Sequence, residues 1–174
     1  MQLLLPSHLI QRLISELKRA GNREIGGLLM GEHVRDEVFR IVDISVQRSG
    51  GDRVCFIRHP KDHKKALQRF FARTGNDFSR FNYLGEWHSH PSFAPVPSSV
   101  DVETMQCMAA DPSVGANFLV LLIAKRDTGG NFQASATAFA GGSSPQHIDL
   151  EHELSPSLNE GGPLRQLARR ILKF

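Results

Sequence analysis

The amino-acid sequence predicts an α/β fold in which a mixed central β-sheet is flanked by helices. Three observations carry that reading. Ser7 to Ala20 places Leu9, Ile10, Leu13, Ile14 and Leu17 at helical spacing, whereas Phe118 to Ala124 is an uninterrupted apolar run of the kind found in buried strands. Patterns of the two kinds alternate along the chain, as helices packed on a shared sheet require. The length, 174 residues, suits one domain, since domains run to about 100–200 residues.

In the first helix Ser7 is a candidate N-cap and Gly21 the stop. Glu24 to His33 and Val38 to Gln47 are rich in Ile, Leu and Val and are separated by a charged turn; with a short Val54 to Ile57 run they read as strands pairing in sequence. Pro60 suits the first position of a second helix, in which Ala66, Leu67, Phe70 and Phe71 recur at helical intervals as far as Arg73. Asn82 to His90 ends at Pro91, as a strand entering a loop does. After the proline-rich stretch Ser92 to Pro97, Ser98 to Ala110 returns to helical periodicity through Val102, Met105 and Met108. Phe118 to Ala124 and Phe132 to Ala140 supply the closing strands, so the folded domain is expected over residues 1–140. Gly, Ser, Pro and acidic residues then dominate, and residues 141–162 read as a linker or surface loop. Over 163–174, Leu164, Leu167, Ile171 and Leu172 predict a short amphipathic helix, made basic by Arg165, Arg169, Arg170 and Lys173.

Composition removes several classes of function. With 40% apolar residues and 15 glycines the chain can bury a core, which excludes global disorder. Its longest apolar run, seven residues, falls far short of the roughly 20 that span a bilayer. The N-terminal MQLLLPSH has no basic segment, and Pro6 interrupts its leucines, which argues against a secretory signal. Cys55 and Cys107 stand at no motif spacing and are expected as buried free thiols in a reducing compartment, so a cytoplasmic location is expected. The net charge is only +3, and four basic residues fall within the last ten. The near-neutral body lacks the basic stripe of a nucleic-acid binder, so neither nucleic acid nor membrane is expected as a partner.

Chemistry concentrates in Glu86-Trp87-His88-Ser89-His90-Pro91, followed by Ser98 and Asp101 at a helix start. Side chains alternate along a strand, so His88 and His90 share a face and can bind one metal ion, while Trp87 points away into the core. Asp101 can supply an oxygen ligand if the loop folds the helix start onto the strand end. Two imidazoles, one carboxylate and an open fourth position describe a catalytic zinc site, whereas structural zinc sites are closed by four ligands, often thiolates. Such a site retains a positive charge and brings bound water toward a pKa of about 7. A carboxylate not bound to the metal must then take the water's proton. Glu86, two residues before His88 on the same face, and Glu24, ahead of Gly26 and Gly27, both qualify, and spacing does not choose between them.

These residues carry a resemblance. EIGGLLMG fits E-x-G-G-x-L-x-G, and His88-Ser89-His90-Pro91, six residues, Ser98, two residues and Asp101 fit H-x-H-P-x6-S-x2-D, the pattern of the JAB/MPN/JAMM zinc metallopeptidases. The resemblance extends from Met1 to about Ala140 and implies the JAB/MPN fold, which is cytidine-deaminase-like. It implies one catalytic Zn²⁺ on His88, His90 and Asp101, Glu24 as general base, and Ser98 as hydrogen-bond donor to the oxyanion. The family cleaves isopeptide or peptide bonds after the C-terminal glycine of ubiquitin-like proteins. The short chain and the LGEWHSHP form of the motif are most similar to bacterial JAB peptidases of CBASS antiphage operons. These remove a conjugated nucleotidyltransferase from its targets. The implied partner is therefore the C-terminal tail of a ubiquitin-like protein or of a conjugated nucleotidyltransferase, and such a tail could add to an exposed strand edge. Members specific for eukaryotic ubiquitin chains carry an insertion after the metal-binding helix, where this chain has only Asp111 to Gly115.

The same residues admit other readings. Ser98-x-x-Asp101 also suits a capping box, which leaves one carboxylate oxygen available. His59 and His63 lack the glutamate of an H-E-x-x-H site, so His59 reads as a helix-start residue and His63 as a solvated one. A zinc deaminase would need Glu at position 90 and a P-C-x-x-C segment, neither of which is present. A catalytically inactive MPN scaffold, or a processing peptidase for a bacterial ubiquitin-like or sulfur-carrier protein, are the alternatives within the family.

Overall fold

The structure, a computed structural model, describes residues 1–51 and 59–154. Among these residues the order is β1 (Gln2–Pro6), α1 (Ser7–Ala20), β2 (Gly26–Arg35), β3 (Val38–Ile44), α2 (Pro60–Arg73), β4 (Phe81–Ser89), α3 (Ser99–Ala110), β5 (Leu119–Arg126), β6 (Phe132–Phe139) and β7 (Gln146–Glu153). The predicted Val54 to Ile57 strand, Cys55 and the predicted basic helix over 163–174 lie outside the described residues. No described helix is long and apolar enough to cross a membrane.

The strands follow the order β1-β3-β2-β4-β5-β6-β7, and β7 pairs back onto β1, so the sheet closes into a barrel. It is mixed, as predicted. β1 runs parallel to both β3 and β7, and β4 parallel to β5, while the remaining pairs are antiparallel. Each described strand has a neighbour on both sides, so a substrate tail finds no whole free edge among them, contrary to expectation.

The first helix packs one face on the sheet: Leu9, Leu13 and Leu17 cluster with inward residues of all seven strands, among them Leu5, Leu29, Ile41, Trp87, Leu122, Ala136 and Ile148, while Gln11, Arg12, Ser15 and Lys18 on its other face are exposed. A continuous leucine stripe makes this favourable, because burying each such side chain is worth about 1.5–3 kcal/mol. Gly21 ends α1 at φ 64°, with its amide on the Leu17 carbonyl. Pro6, not Ser7, is the N-cap, and the Ser7 hydroxyl instead donates to the Glu153 carbonyl oxygen at 2.9 Å. Outside the barrel, α3 packs Met105 against Leu119, Leu121, Ile123 and Phe139.

Two strands were not foreseen. β1 is short, and its leucines alternate between half-buried and buried positions. β7 falls inside the stretch expected to be linker, and its apolar content is limited to Ile148 and Leu150. Its last residue, Glu153, accepts two hydrogen bonds from Arg40 Nε, at 2.9 and 3.1 Å, and one from Nη2 at 2.8 Å, which fastens the seam to β3. Two further expectations are corrected. Cys107 is exposed on α3 rather than part of the core. His63 is buried rather than solvated, with Nδ1 2.7 Å from Ser45 Oγ and Nε2 3.2 Å from Gln47 Oε1.

Candidate active site

The site forms where β2 and β4 meet the start of α3. In the antiparallel β2–β4 pair Gly26 lies opposite His88 and Gly27 opposite Trp87. Beyond the last paired residues, Ser89 N–H donates to the Ile25 carbonyl at 2.8 Å, and the Ile25 amide donates to Ser89 Oγ at 3.0 Å. Glu24 is the residue immediately before this lock, two positions ahead of Gly26, the partner of His88. Glu24 is buried, at 4% exposure. Glu86 is half-buried on the strand face of His88 and His90 but lies further down the strand, opposite Leu28. Gly27 is required here: a Cβ at this position would collide with the Ser45 carbonyl oxygen, where the chain after β3 runs close beside β2. Trp87 points the other way into the barrel, with its indole N–H on the same Ser45 oxygen at 2.9 Å.

Asp101 reaches this strand end because Ser98 starts α3. The Ser98 hydroxyl accepts from the Asp101 amide at 3.2 Å, while Asp101 Oδ2 accepts from the Ser98 amide and hydroxyl, each at 2.7 Å. This is the predicted capping box, and it directs Asp101 Oδ1 to His88 Nε2 at 3.3 Å. His90 Nε2 lies 3.2 Å from His88 Nε2 and 3.7 Å from Asp101 Oδ2. One ligand atom from each of the three residues thus falls within 4.8 Å of the others. Burial raises the Asp101 carboxyl, but the hydrogen bond and charge of His88, with the Ser98 bonds, outweigh it and hold Asp101 well below the usual carboxylate range. Burial pushes the His90 imidazole down, against the opposing bond to the Ala94 carbonyl.

This donor set fits a zinc ion. At Zn–N and Zn–O distances of about 2.0–2.2 Å, tetrahedral ligand atoms stand about 3.3 Å apart, close to the separations here. His90 Nδ1 lies 3.0 Å from the Ala94 carbonyl oxygen, and a carbonyl can only accept, so that nitrogen carries the proton and Nε2 presents a lone pair toward Asp101.

Comparison with known proteins shows the family. Residues 6–136 match the model for prokaryotic homologs of the JAB domain, a span that includes Glu24, His88, His90, Ser98 and Asp101. The chain belongs to the prokaryotic JAB family. Among relatives of this JAB chain, a CD-NTase/cGAS isopeptidase of Enterobacter hormaechei is 29% identical over 82% of the chain and 78% of its own length. A protein of the same description from Vibrio cholerae is 31% identical over 69% of the chain and 74% of its own. The 26S proteasome regulatory subunit rpn11 of Schizosaccharomyces pombe is 32% identical over 48% of the chain and 26% of its own. In fold, the JAB chain resembles the solution structure of protein DSY2949 from Desulfitobacterium hafniense, with a TM-score of 0.66 and 16% identity over 91% of this chain and 96% of that one.

Sequence reasoning missed the supports of this JAB site. Ser89 read only as the spacer of H-x-H, yet it ties the segment bearing Glu24 to the histidine strand. Lys125 follows the apolar run Leu119 to Ala124, and the break in that run was the available signal; its Nζ donates to the Phe93 carbonyl at 2.7 Å.

Proposed function

We propose that the protein is a zinc-dependent isopeptidase of the JAMM type, acting in the cytoplasm. It cleaves after the C-terminal glycine of a conjugated nucleotidyltransferase or a ubiquitin-like modifier and so reverses conjugation in a CBASS-like antiphage system. The observation that carries this reading is the convergence of His88, His90 and Asp101 at the strand end that Glu24 also reaches, in a chain similar to CD-NTase/cGAS isopeptidases.

In this reading His88, His90 and Asp101 hold one zinc ion, which supplies Lewis-acid polarisation of the scissile carbonyl and acidifies water. Glu24 accepts the proton of the attacking water and returns it to the leaving amine. Its burial keeps that exchange away from bulk solvent. The Ser98 hydroxyl turns its hydrogen from Asp101 to the developing oxyanion. Asp101 keeps the Ser98 amide meanwhile, so the helix start stays capped. A polypeptide substrate is supported by the apolar rim of the site, where Phe93, Val96 and Val100 are 52, 55 and 68% exposed.

The test is to incubate the purified protein with a target protein joined through an isopeptide bond to the C-terminus of a CD-NTase-type nucleotidyltransferase. Cleavage that a chelator stops and added zinc restores is the expected result. Zinc-loaded protein that leaves such conjugates and ubiquitin-like fusions intact would overturn the proposal.

A further inference from the structure

We propose that Lys125 and Ser135 are positioning residues for His90, acting through the carbonyls of the loop between β4 and α3; the proposal rests on reading His90 as a metal ligand. The loop cannot hold itself. Pro91, Pro95 and Pro97 have no amide hydrogen to donate. Within it, among the described residues, only one backbone bond is made, from Val96 N–H to the Ala94 carbonyl at 2.8 Å. Two side chains from outside, with that of His90 at the loop's own start, complete the hold on three successive carbonyls. Lys125 Nζ donates to Phe93 O at 2.7 Å, His90 Nδ1–H to Ala94 O at 3.0 Å, and the Ser135 hydroxyl to Pro95 O.

Strand register explains why these two residues are available. His88 lies opposite Ile123 in the parallel β4–β5 pair, and Ile123 lies opposite Ser135 in the antiparallel β5–β6 pair. Lys125 follows Ile123 by two residues, so Lys125 and Ser135 share the face of the two histidines and come up beneath the loop. Fixing the carbonyls on either side of Ala94 fixes the peptide planes that aim the Ala94 oxygen. That oxygen in turn sets the tautomer and ring orientation of His90, which is how outer partners tune a ligating histidine.

The experiment measures zinc affinity of the full chain by competition with a chromogenic chelator, alongside thermal unfolding of the metal-free protein, for wild type, Lys125→Met, Ser135→Ala, Ser135→Thr and His90→Ala. Lys125→Met and Ser135→Ala are each expected to weaken zinc binding about tenfold, the lower end of the 10–100-fold cost of losing such a partner. Metal-free stability is expected to stay near wild type, and Ser135→Thr, which keeps the hydroxyl, to retain most of the affinity. If Ser135→Ala fails to fold, Lys125→Met alone decides. Wild-type affinity in Lys125→Met and Ser135→Ala, with zinc lost only in His90→Ala, would overturn the positioning role and leave the metal site standing. Weakened affinity matched by an equal loss of metal-free stability would overturn it in favour of plain structural support. A wild-type chain that takes up no zinc would overturn both readings.

Discussion

The Ile25 amide donates a 3.0 Å hydrogen bond to the hydroxyl of Ser89, the residue between His88 and His90. With the return bond from Ser89 N–H to the Ile25 carbonyl, it locks the approach to β2 onto the end of β4 and so sets Glu24 relative to the histidines. Ser89→Ala leaves a buried amide without its acceptor, at a cost of about 1–3 kcal/mol. Chemical denaturation should show that loss. On the proposed function, zinc content should remain at one per chain while kcat falls, because His88, His90 and Asp101 are untouched and the placement of Glu24 is not.

Substitutions at the site separate binding from proton transfer. Glu24→Gln is expected to retain zinc and lose about 10²–10⁴-fold in kcat. His88→Ala should lose zinc and activity together. Asp101→Ala should lose zinc and also destabilise α3 by about 1 kcal/mol, because it removes half of the capping box. Metal analysis beside steady-state kinetics checks all three, and Glu24→Gln at wild-type rate would reassign the base.

Leu13 lies fully buried in the core that α1 shares with the sheet. Leu13→Ala opens a cavity that the closed sheet cannot collapse around, so a loss of about 3–5 kcal/mol is expected. The midpoint of urea denaturation reports it directly, with the slope unchanged if the barrel still unfolds as a unit.

Acid stability should depend on Glu16. The Arg48 hydrogen bonds, at 2.7 Å each, lower its carboxyl against the raising effect of burial, with the Arg48 charge adding to them. A folded-state value below the unfolded one means that the pair stabilises the protein fully above the pH at which a free glutamate protonates, about 4.3. That stabilisation is lost as pH falls through the lowered folded value. Glu16→Gln should cost about 1 kcal/mol at neutral pH, since Arg48 is exposed and returns to water. The difference from wild type should shrink toward pH 3 in denaturation curves taken across the acid range.

Where periodicity was strong, the elements were legible from residue types alone. α1, α2 and α3 and the strands from Gly26 to Phe139 begin and end within two or three residues of the predicted runs, because each buries a continuous stripe or run of apolar side chains. β1 and β7 were hidden for a different reason. β1 is five residues long and β7 mostly polar, and their stability comes from pairing with each other, a long-range property that no local window contains. The site was legible because H-x-H and S-x-x-D depend on local geometry, strand alternation in one case and a helix cap in the other. Spacing left both Glu24 and Glu86 open and only the resemblance singled out Glu24, whereas finding Lys125 and Ser135 needed the path of the loop. His63 was misread because its partners Ser45 and Gln47 come from a distant segment.

The pairing of Gln2 with Asp149 has a consequence for biosynthesis. Contacts between such remote residues form slowly, since the intervening chain must be ordered first. During translation the leucine stripe of the first helix emerges long before the strand that will complete the sheet it packs on, and it stays open to chaperones in the meantime. Maturation of the fold therefore waits on a segment that supplies none of the candidate site residues, and truncation ahead of Glu153 should yield an insoluble product even though every motif residue is retained.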